Sequence, residues 1–303
     1  MIKTVTIKTK TNHANNANNA NHKNPKNALA EAILAAIKAN TMPWRKSWKN
    51  DGCNRPYNPI TKTIYRGSNA MTLYLPLLIK MMADNTTMVP EFRFSTFKQI
   101  KDEGMSVKKG SKGFPIFYWG TYTTNDDDTE EKVKMCIKHF TVFNYQDVDI
   151  PEGHTIKRLT TSDFTCDKPN IMGIINRLKI KIVQGNTVDP CYNLANNVIM
   201  MPDNFDDDVS KYTTLFHEIV HWTKNNIKNC KRELSYASEE LVAELGSFMI
   251  CHDLGIEYTP VENSNYYEYL RSWLSNFPTD EAKIDALNNA LMYANRAVKA
   301  IVE

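Results

Sequence analysis

The sequence predicts an α+β protein of two domains, and three observations lead there. At 303 residues the chain exceeds the usual span of roughly 100 to 200 residues for a single domain. Short strand-like runs and turn residues crowd its first half, while its second half is mostly helical in period. Charge divides in step: residues 1–150 hold 22 Lys and Arg against 13 Asp and Glu, net +9, and residues 151–303 hold 15 against 21, net −6. Such a split suits a polyanion-binding surface in the first half and other work in the second. We divide the chain at 1–27, an arm, 28–150, a small mixed domain, and 151–303, a second domain.

Residues 11–27 repeat Asn and Ala with two His and two Lys, too polar to offset their ordering entropy, and the expectation is a disordered arm. From Ala28 to Ala39, Leu29, Ile33 and Ile37 recur every four residues with Leu34 on the same broad face, which predicts a helix on the N-terminal core. Turn signals at Asp51-Gly52 and Asn58-Pro59 precede a second apolar helix near Asn69 to Met82. Lys108-Lys109-Gly110-Ser111-Lys112-Gly113 is a basic turn into a strand from Phe114 to Trp119. It lacks the spacing and the strand-to-helix context of a phosphate-binding P-loop. An acidic loop, Asn125 to Glu131, leads to a strand from Val133 to Tyr145.

The second half should open with a helix near Asn170 to Leu178 and a short strand, Ile180 to Val183. A hairpin follows, Tyr192 and Leu194 on one arm, Asn196-Asn197 at the turn and Val198 to Met201 on the other. Asp206, Asp207 and Asp208 supply an N-cap and first-turn charge for a helix through Thr223. A further helix runs from Tyr236 to His252, stopped by Gly255, and a last amphipathic helix from Asp280 to Val302. The longest apolar run, Met71 to Ala83, is interrupted by Pro76 and Lys80 and too short to cross a bilayer, so no membrane partner is expected. Six cysteines without a CxxC pair (Cys53, Cys136, Cys166, Cys191, Cys230, Cys251) fit reduced thiols in a cytoplasmic protein.

The chemistry sits in His217-Glu218-Ile219-Val220-His221. Residues four apart share a helix face, so His217 and His221 can aim imidazole nitrogens at one ion. Glu218 then stands beside water activated by that ion and is the candidate general base. A carboxylate-rich helix follows, and 18 residues, 222–239, leave room for a reversal that offers Glu240 as third ligand. Two His and one Glu leave an open position, unlike a closed structural zinc site. Glu244, one turn on, is a candidate hydrogen-bond partner for a ligating histidine. Glu239 should point away into solvent. His252 lies about 18 Å along the helix from Glu240, too far to ligate. Tyr192 is either a candidate oxyanion donor or a packed core tyrosine. Zinc is the expected ion, one per chain, with Mn2+ or another divalent ion as the alternative.

In the first half, Trp44-Arg45-Lys46-Ser47-Trp48-Lys49 interleaves indoles with cations. Arg55, Tyr57, Tyr65, Arg66, Arg93, Phe97 and Lys98 continue the mixture, and Lys108, Lys109 and Lys112 add charge at the basic turn. Aromatic faces that stack unpaired bases, with cations along the phosphates, suit single-stranded DNA; the competing reading is an ordinary aromatic core.

Taken in order, these residues resemble the ArdC-type antirestriction proteins, an N-terminal single-stranded-DNA-binding domain fused to a zincin-like metallopeptidase domain. The resemblance spans roughly residues 28 to 300. It rests on Pro43-Trp44-Arg45 with Trp48, Pro56-Tyr57-Asn58 with Thr61, Tyr65-Arg66-Gly67 with Asn69, and Thr96-Phe97-Lys98-Gln99. The Lys109-Gly110 turn and Val142-Phe143-Asn144 with Gln146 continue it. In the second half it rests on His217-Glu218, His221-Trp222-Thr223, the run Glu239 to Gly246, and Trp273. The Asn-rich arm, a shorter and less Arg-rich stretch at 224–236, and Cys191 before Tyr192 depart from the pattern. The resemblance implies DNA binding by the first domain and metal ligation by His217, His221 and Glu240; the DNA contacts expected there are Trp44, Arg45, Lys46, Trp48, Tyr57, Tyr65, Arg66, Asn69, Lys98, Lys108, Lys109 and Lys112. It further implies a gluzincin-like HExxH helix and a phage or plasmid protein that shields incoming DNA from restriction in a bacterial cytoplasm. The rivals are a peptidase acting on a host restriction or other protein, with the basic domain for localisation, and a catalytically idle DNA-binding module.

Overall fold

In the computed structural model, the residues described are 27–39, 55–83, 91–124, 132–156, 158–159, 171–186, 189–256 and 266–303. The architecture is α+β. Helix α1 (Ala28–Lys38) is followed by the short antiparallel pair β1 (Tyr57–Asn58) and β2 (Thr63–Ile64), then helix α2 (Gly67–Ala83). Strand β3 (Phe94–Thr96) passes directly into α3 (Phe97–Asp102), whose start is fixed by a capping box between Thr96 and Gln99. Strand β4 (Ser106–Val107) pairs with β7 (Val148–Asp149), and the long strands β5 (Phe114–Thr124) and β6 (Lys132–Asn144) form a hairpin that β3 completes on the far edge of β6. Strand β5 outruns its expected end at Trp119, while β6 lies one residue earlier than the expected Val133 to Tyr145. The acidic loop at 125–131, most of the Asn-rich arm and the Trp44 to Trp48 segment lie outside the described residues.

The second half begins with α4 (Ile171–Leu178) and a three-stranded sheet of β8 (Ile182–Gly185), β9 (Cys191–Asn193) and β10 (Val198–Pro202), ordered β8-β10-β9. The expected hairpin is present, with Asn197 in the left-handed conformation at its turn. Strand β8 pairs parallel to β10, which local periodicity does not reveal. Helices α5 (Asp208–Asn226), α6 (Tyr236–Leu254), α7 (Tyr266–Ser275) and α8 (Asp280–Val302) complete the fold. Asp207 caps α5, Gly255 ends α6 at φ +70°, and α8 has the bounds its apolar spacing predicts. Helix α7 is not among the elements the periodicity predicts.

The larger core joins α4, α5, α6, α7 and α8 to β10, and it also takes in α1 through Leu29, Ile33, Leu34 and Ile37. This corrects the expectation that α1 packs on the N-terminal core. The reason lies in α2, which is apolar on two faces: Leu73 and Leu77 bury against Phe94 and Val142 of the β3-β6-β5 sheet, while Met71 and Leu75 enter the larger core. A helix buried on both sides ties the halves together, so the core does not divide where the charge does. Polar groups reinforce the seam. The Gly67 amide meets both carboxylate oxygens of Asp253 at 3.3 Å, the Ser68 amide donates to Asn295 Oδ1 at 2.9 Å, and Arg55 Nη2 donates to the Asp253 carbonyl at 2.8 Å.

Candidate metal centre

Helix α5 buries Leu215, Phe216, Ile219, Val220 and Trp222 in the core, which leaves His217 and His221 on the face towards α6. Close approach of the two helices depends on Gly246: a Cβ there would lie 2.8 Å from Val220 Cγ2. With no side chain in the way, Glu240 and Glu244 of α6 reach across to the histidines.

The two histidine Nε2 atoms are 3.2 Å apart. Glu240 Oε2 is 3.3 Å from His217 Nε2, and Oε1 is 3.6 Å from His221 Nε2. Ligand atoms about 2.0–2.1 Å from a tetrahedral ion stand about 3.4 Å from one another, so the three side chains fit one zinc-sized cation. Among the described residues, His217, His221 and Glu240 are the group able to hold a metal. Glu218 is buried at the same cleft, and Glu244 lies 3.7 Å from His217 Nδ1, within ion-pair reach but longer than a hydrogen bond.

Electrostatics favour a cation at this point. Burial works against charge on His217, but the neighbouring carboxylates of Glu240 and Glu244 outweigh it and raise its pKa to about 10. Glu240 shows the converse: burial pushes its carboxyl up, yet the two histidines bring it down to about 2. Without a metal, His217 is therefore protonated at neutral pH, and an incoming ion must displace that proton. Metal uptake at pH 7 is expected to release protons, and apparent affinity to rise with pH towards the His217 pKa. Calorimetric titration in buffers of different ionisation enthalpy checks this; a buffer-independent enthalpy contradicts it.

Glu239 departs from expectation. Rather than facing solvent it is buried, with Oε1 3.2 Å from His221 Nδ1 and both oxygens held by Arg232 at 2.7 and 2.8 Å. Burial raises its pKa, but hydrogen bonds to His221 and Arg232 bring the net shift below the ordinary carboxylate value. Neighbours on a helix sit about 100° apart, so Glu239 and Glu240 can both reach α5, one to each side of the His221 ring. Of the two readings open for Tyr192, its surroundings favour the packed one: Tyr192 Oη donates to Asn197 Oδ1 at 2.9 Å and accepts from Asn226 Nδ2 at 3.1 Å, and Tyr192 is not among the described residues that line the cleft. Tyr192 is a packing residue of the hairpin, and its hydroxyl is already engaged.

The cleft has a volume of about 950 Å³. Thr213 and Thr214 line it one turn before His217, Ser235 and Tyr236 at the start of α6, and Ser272, Trp273 and Asn276 along α7 and just past its end. Apart from Trp273, named only for the resemblance, the sequence does not single these out, because they come from three separate helices and their order carries no spacing. Its acidic walls are Glu218, Glu240 and Glu244, and no Lys or Arg is among the described residues that line it.

The expected DNA contacts separate into two groups. Tyr57 is 3% exposed and its hydroxyl accepts from the Leu159 amide, so it has no ring face for a base. Tyr65 donates to the Phe94 carbonyl, and burial lifts its pKa to about 12. Asn69 accepts from the Phe117 amide and donates to its carbonyl, closing the edge of β5. These three hold the fold, as do Arg55 and Arg93, which is paired with Glu91. Arg66, Lys98, Lys108, Lys109 and Lys112 are exposed, while Trp44, Arg45, Lys46 and Trp48 lie outside the described residues. Other aromatics are presented instead. Tyr118 (63% exposed) stands opposite Lys138 across β5 and β6, with Phe140 (44%) two residues further along the same face. Phe97 is exposed at the start of α3, beside Lys98.

Comparison with known proteins finds two families along the chain. Residues 23–143 match the family described as the N-terminal domain of anti-restriction factor ArdC, and residues 169–288 match the zincin-like metallopeptidase family. The metal-free crystal structure of antirestriction ArdC protein from plasmid R388 aligns with a TM-score of 0.59 and 28% identity, covering 91% of this chain and 97% of that one. The Mn(II)-bound structure of that protein aligns at 0.58 and 26%, over 92% and 98%. Among curated relatives, a DNA primase TraC of Escherichia coli is 28% identical over 285 residues, 84% of this chain but 25% of that protein, so the chain spans about a quarter of its length. The uncharacterized protein y4eC of Sinorhizobium fredii is 27% identical over 280 residues, 83% of this chain and 84% of that protein.

Proposed function

We propose that this chain, an ArdC-type protein with a zincin-like metallopeptidase domain, acts as an antirestriction protein that binds single-stranded DNA through residues 28–150 and holds zinc in residues 151–303. The observation that carries the second half is the convergence of His217, His221 and Glu240 on one point. Bound there, zinc would supply Lewis-acid chemistry, polarising a carbonyl and bringing the pKa of water to about 7. Glu218 would take the proton of the attacking water on its carboxylate and pass it to the leaving amine. Thr213, Tyr236 and Trp273 would position a polypeptide along the cleft.

The DNA reading is supported by the exposed Tyr118, Lys138 and Phe140, two rings and a cation on one sheet face, in a half of net charge +9. In the full-length protein, Tyr118→Ala with Phe140→Ala is expected to lower oligonucleotide affinity by about 1–3 kcal/mol per lost stack, with metal content unchanged. Wild-type protein should prefer single strands to duplex and weaken steeply with salt. Fluorescence titrations decide; equal affinity for both forms would sink the reading.

One observation favours a second reading, a peptidase that acts on a host protein while the basic half only localises it: the cleft walls carry carboxylates and would repel phosphate. Glu218→Gln distinguishes the two. It should keep metal and DNA affinity while any peptide hydrolysis falls by roughly 10²- to 10⁴-fold. Transfer of an unmodified plasmid into a restricting host is then the deciding assay. Protection retained by Glu218→Gln supports DNA occlusion, and protection lost supports the peptidase.

A further inference from the structure

Arg232 lies between α5 and α6, and its side chain is fully buried. Its guanidinium is oriented from several sides. Nε donates to Glu239 Oε2 at 2.8 Å, and Nη2 donates to Glu239 Oε1 at 2.7 Å and to the Val220 carbonyl at 2.9 Å. Nη1 donates to the Cys230 carbonyl at 3.1 Å and to Thr223 Oγ1 at 3.3 Å. Two of these anchors, Val220 and Thr223, flank His221 on α5. The fork is therefore registered against the backbone that carries His221, and it fixes the Glu239 carboxylate in turn.

We propose, on the reading of His217, His221 and Glu240 as metal ligands, that Arg232 is a positioning residue for the metal centre, acting on His221 through Glu239. A carboxylate 3.2 Å from Nδ1 accepts the Nδ1–H, which selects the tautomer whose Nε2 carries the free lone pair. That Nε2 faces His217 Nε2 and Glu240, at 3.2 and 3.6 Å. A lone glutamate on a helix would have several rotamers available; the bidentate fork leaves one, because guanidinium and carboxylate must lie nearly coplanar. Lysine, a point donor on a flexible stem, could hold the charge but not the angle.

The test is zinc affinity of the full-length protein, measured by competition with a chromophoric chelator, for Arg232→Met, Glu239→Gln and the double variant. Each single variant is expected to bind zinc about 10- to 100-fold more weakly, and the double variant no more weakly than the worse single, because both act along one path. A changed absorption spectrum of the cobalt-loaded singles would mark an altered ligand arrangement, which loss of general stability alone does not produce. A folded Arg232→Met that keeps its zinc affinity to within about twofold, or losses that add in the double variant, overturns the proposal. Should Arg232→Met not fold, Arg232→Lys replaces it, with weakened zinc binding expected and unchanged binding overturning the idea. Independently, nitrogen-15 spectra of the zinc-loaded wild type should show His221 protonated at Nδ1; a bare Nδ1 overturns it whatever the variants do. Wild-type protein that takes up no zinc would instead refute the metal reading itself.

Discussion

A protein carrying both His217→Ala and His221→Ala will lose its divalent metal, whereas the wild type should hold about one ion per chain. On the proposed assignment the two imidazoles would supply both nitrogen donors of a three-ligand set whose atoms stand 3.2 to 3.6 Å apart, and Glu240 alone cannot define that geometry. The loss should exceed the roughly 10- to 100-fold produced by removing only a supporting partner of a ligand. Metal analysis of the purified variant, followed by titration with zinc and with manganese, measures it. The fold should survive: both histidines are on the cleft side of α5, and the core contacts of Leu215, Phe216, Ile219 and Val220 remain. Unchanged metal content in a folded variant would end the assignment.

Phe216→Ala is the substitution expected to cost most in stability. Phe216 precedes the first ligand, is 0% exposed and belongs to the core shared by α5, α6 and α8. Truncating such a ring loses its transfer free energy and leaves a cavity, together about 3–5 kcal/mol. Against a total domain stability of about 5–15 kcal/mol, that is a large fraction. Chemical denaturation should show an earlier midpoint, and loosening of α5 should weaken metal binding, since two ligands ride on that helix. A midpoint within error of wild type would mean that Phe216 does not anchor α5.

Much of this architecture is legible in the amino-acid sequence. Helices α5, α6 and α8 carry strong caps, a stop glycine and long apolar periods, and these are local signals that neighbouring residues report without tertiary context. His217 and His221 are legible for the same reason, because four-residue spacing on a helix is a geometric statement. What escapes is non-local. Helix α1 has the same apolar face whichever core receives it, so its spacing cannot say that it joins α7 and α8. The parallel pairing of β8 with β10 passes over β9, and no local pattern records that order.

The aromatic and charged residues show the limit most clearly. Composition marks the first half as rich in rings and cations, but Tyr57 and Tyr65 turn inward while Tyr118 and Phe140 face out, because burial depends on which side of a sheet another element covers. Likewise, Arg232 and Glu239 read as ordinary polar residues until the return of α6 onto α5 places them against His221. The sequence by itself determined the helices, the HExxH pair and the division of charge, since each is set within a few turns of chain or by composition alone. Only the tertiary structure decided which carboxylate meets which imidazole and which rings remain exposed, since those depend on how distant segments pack, and two helices joined by a turn can meet along more than one pair of faces.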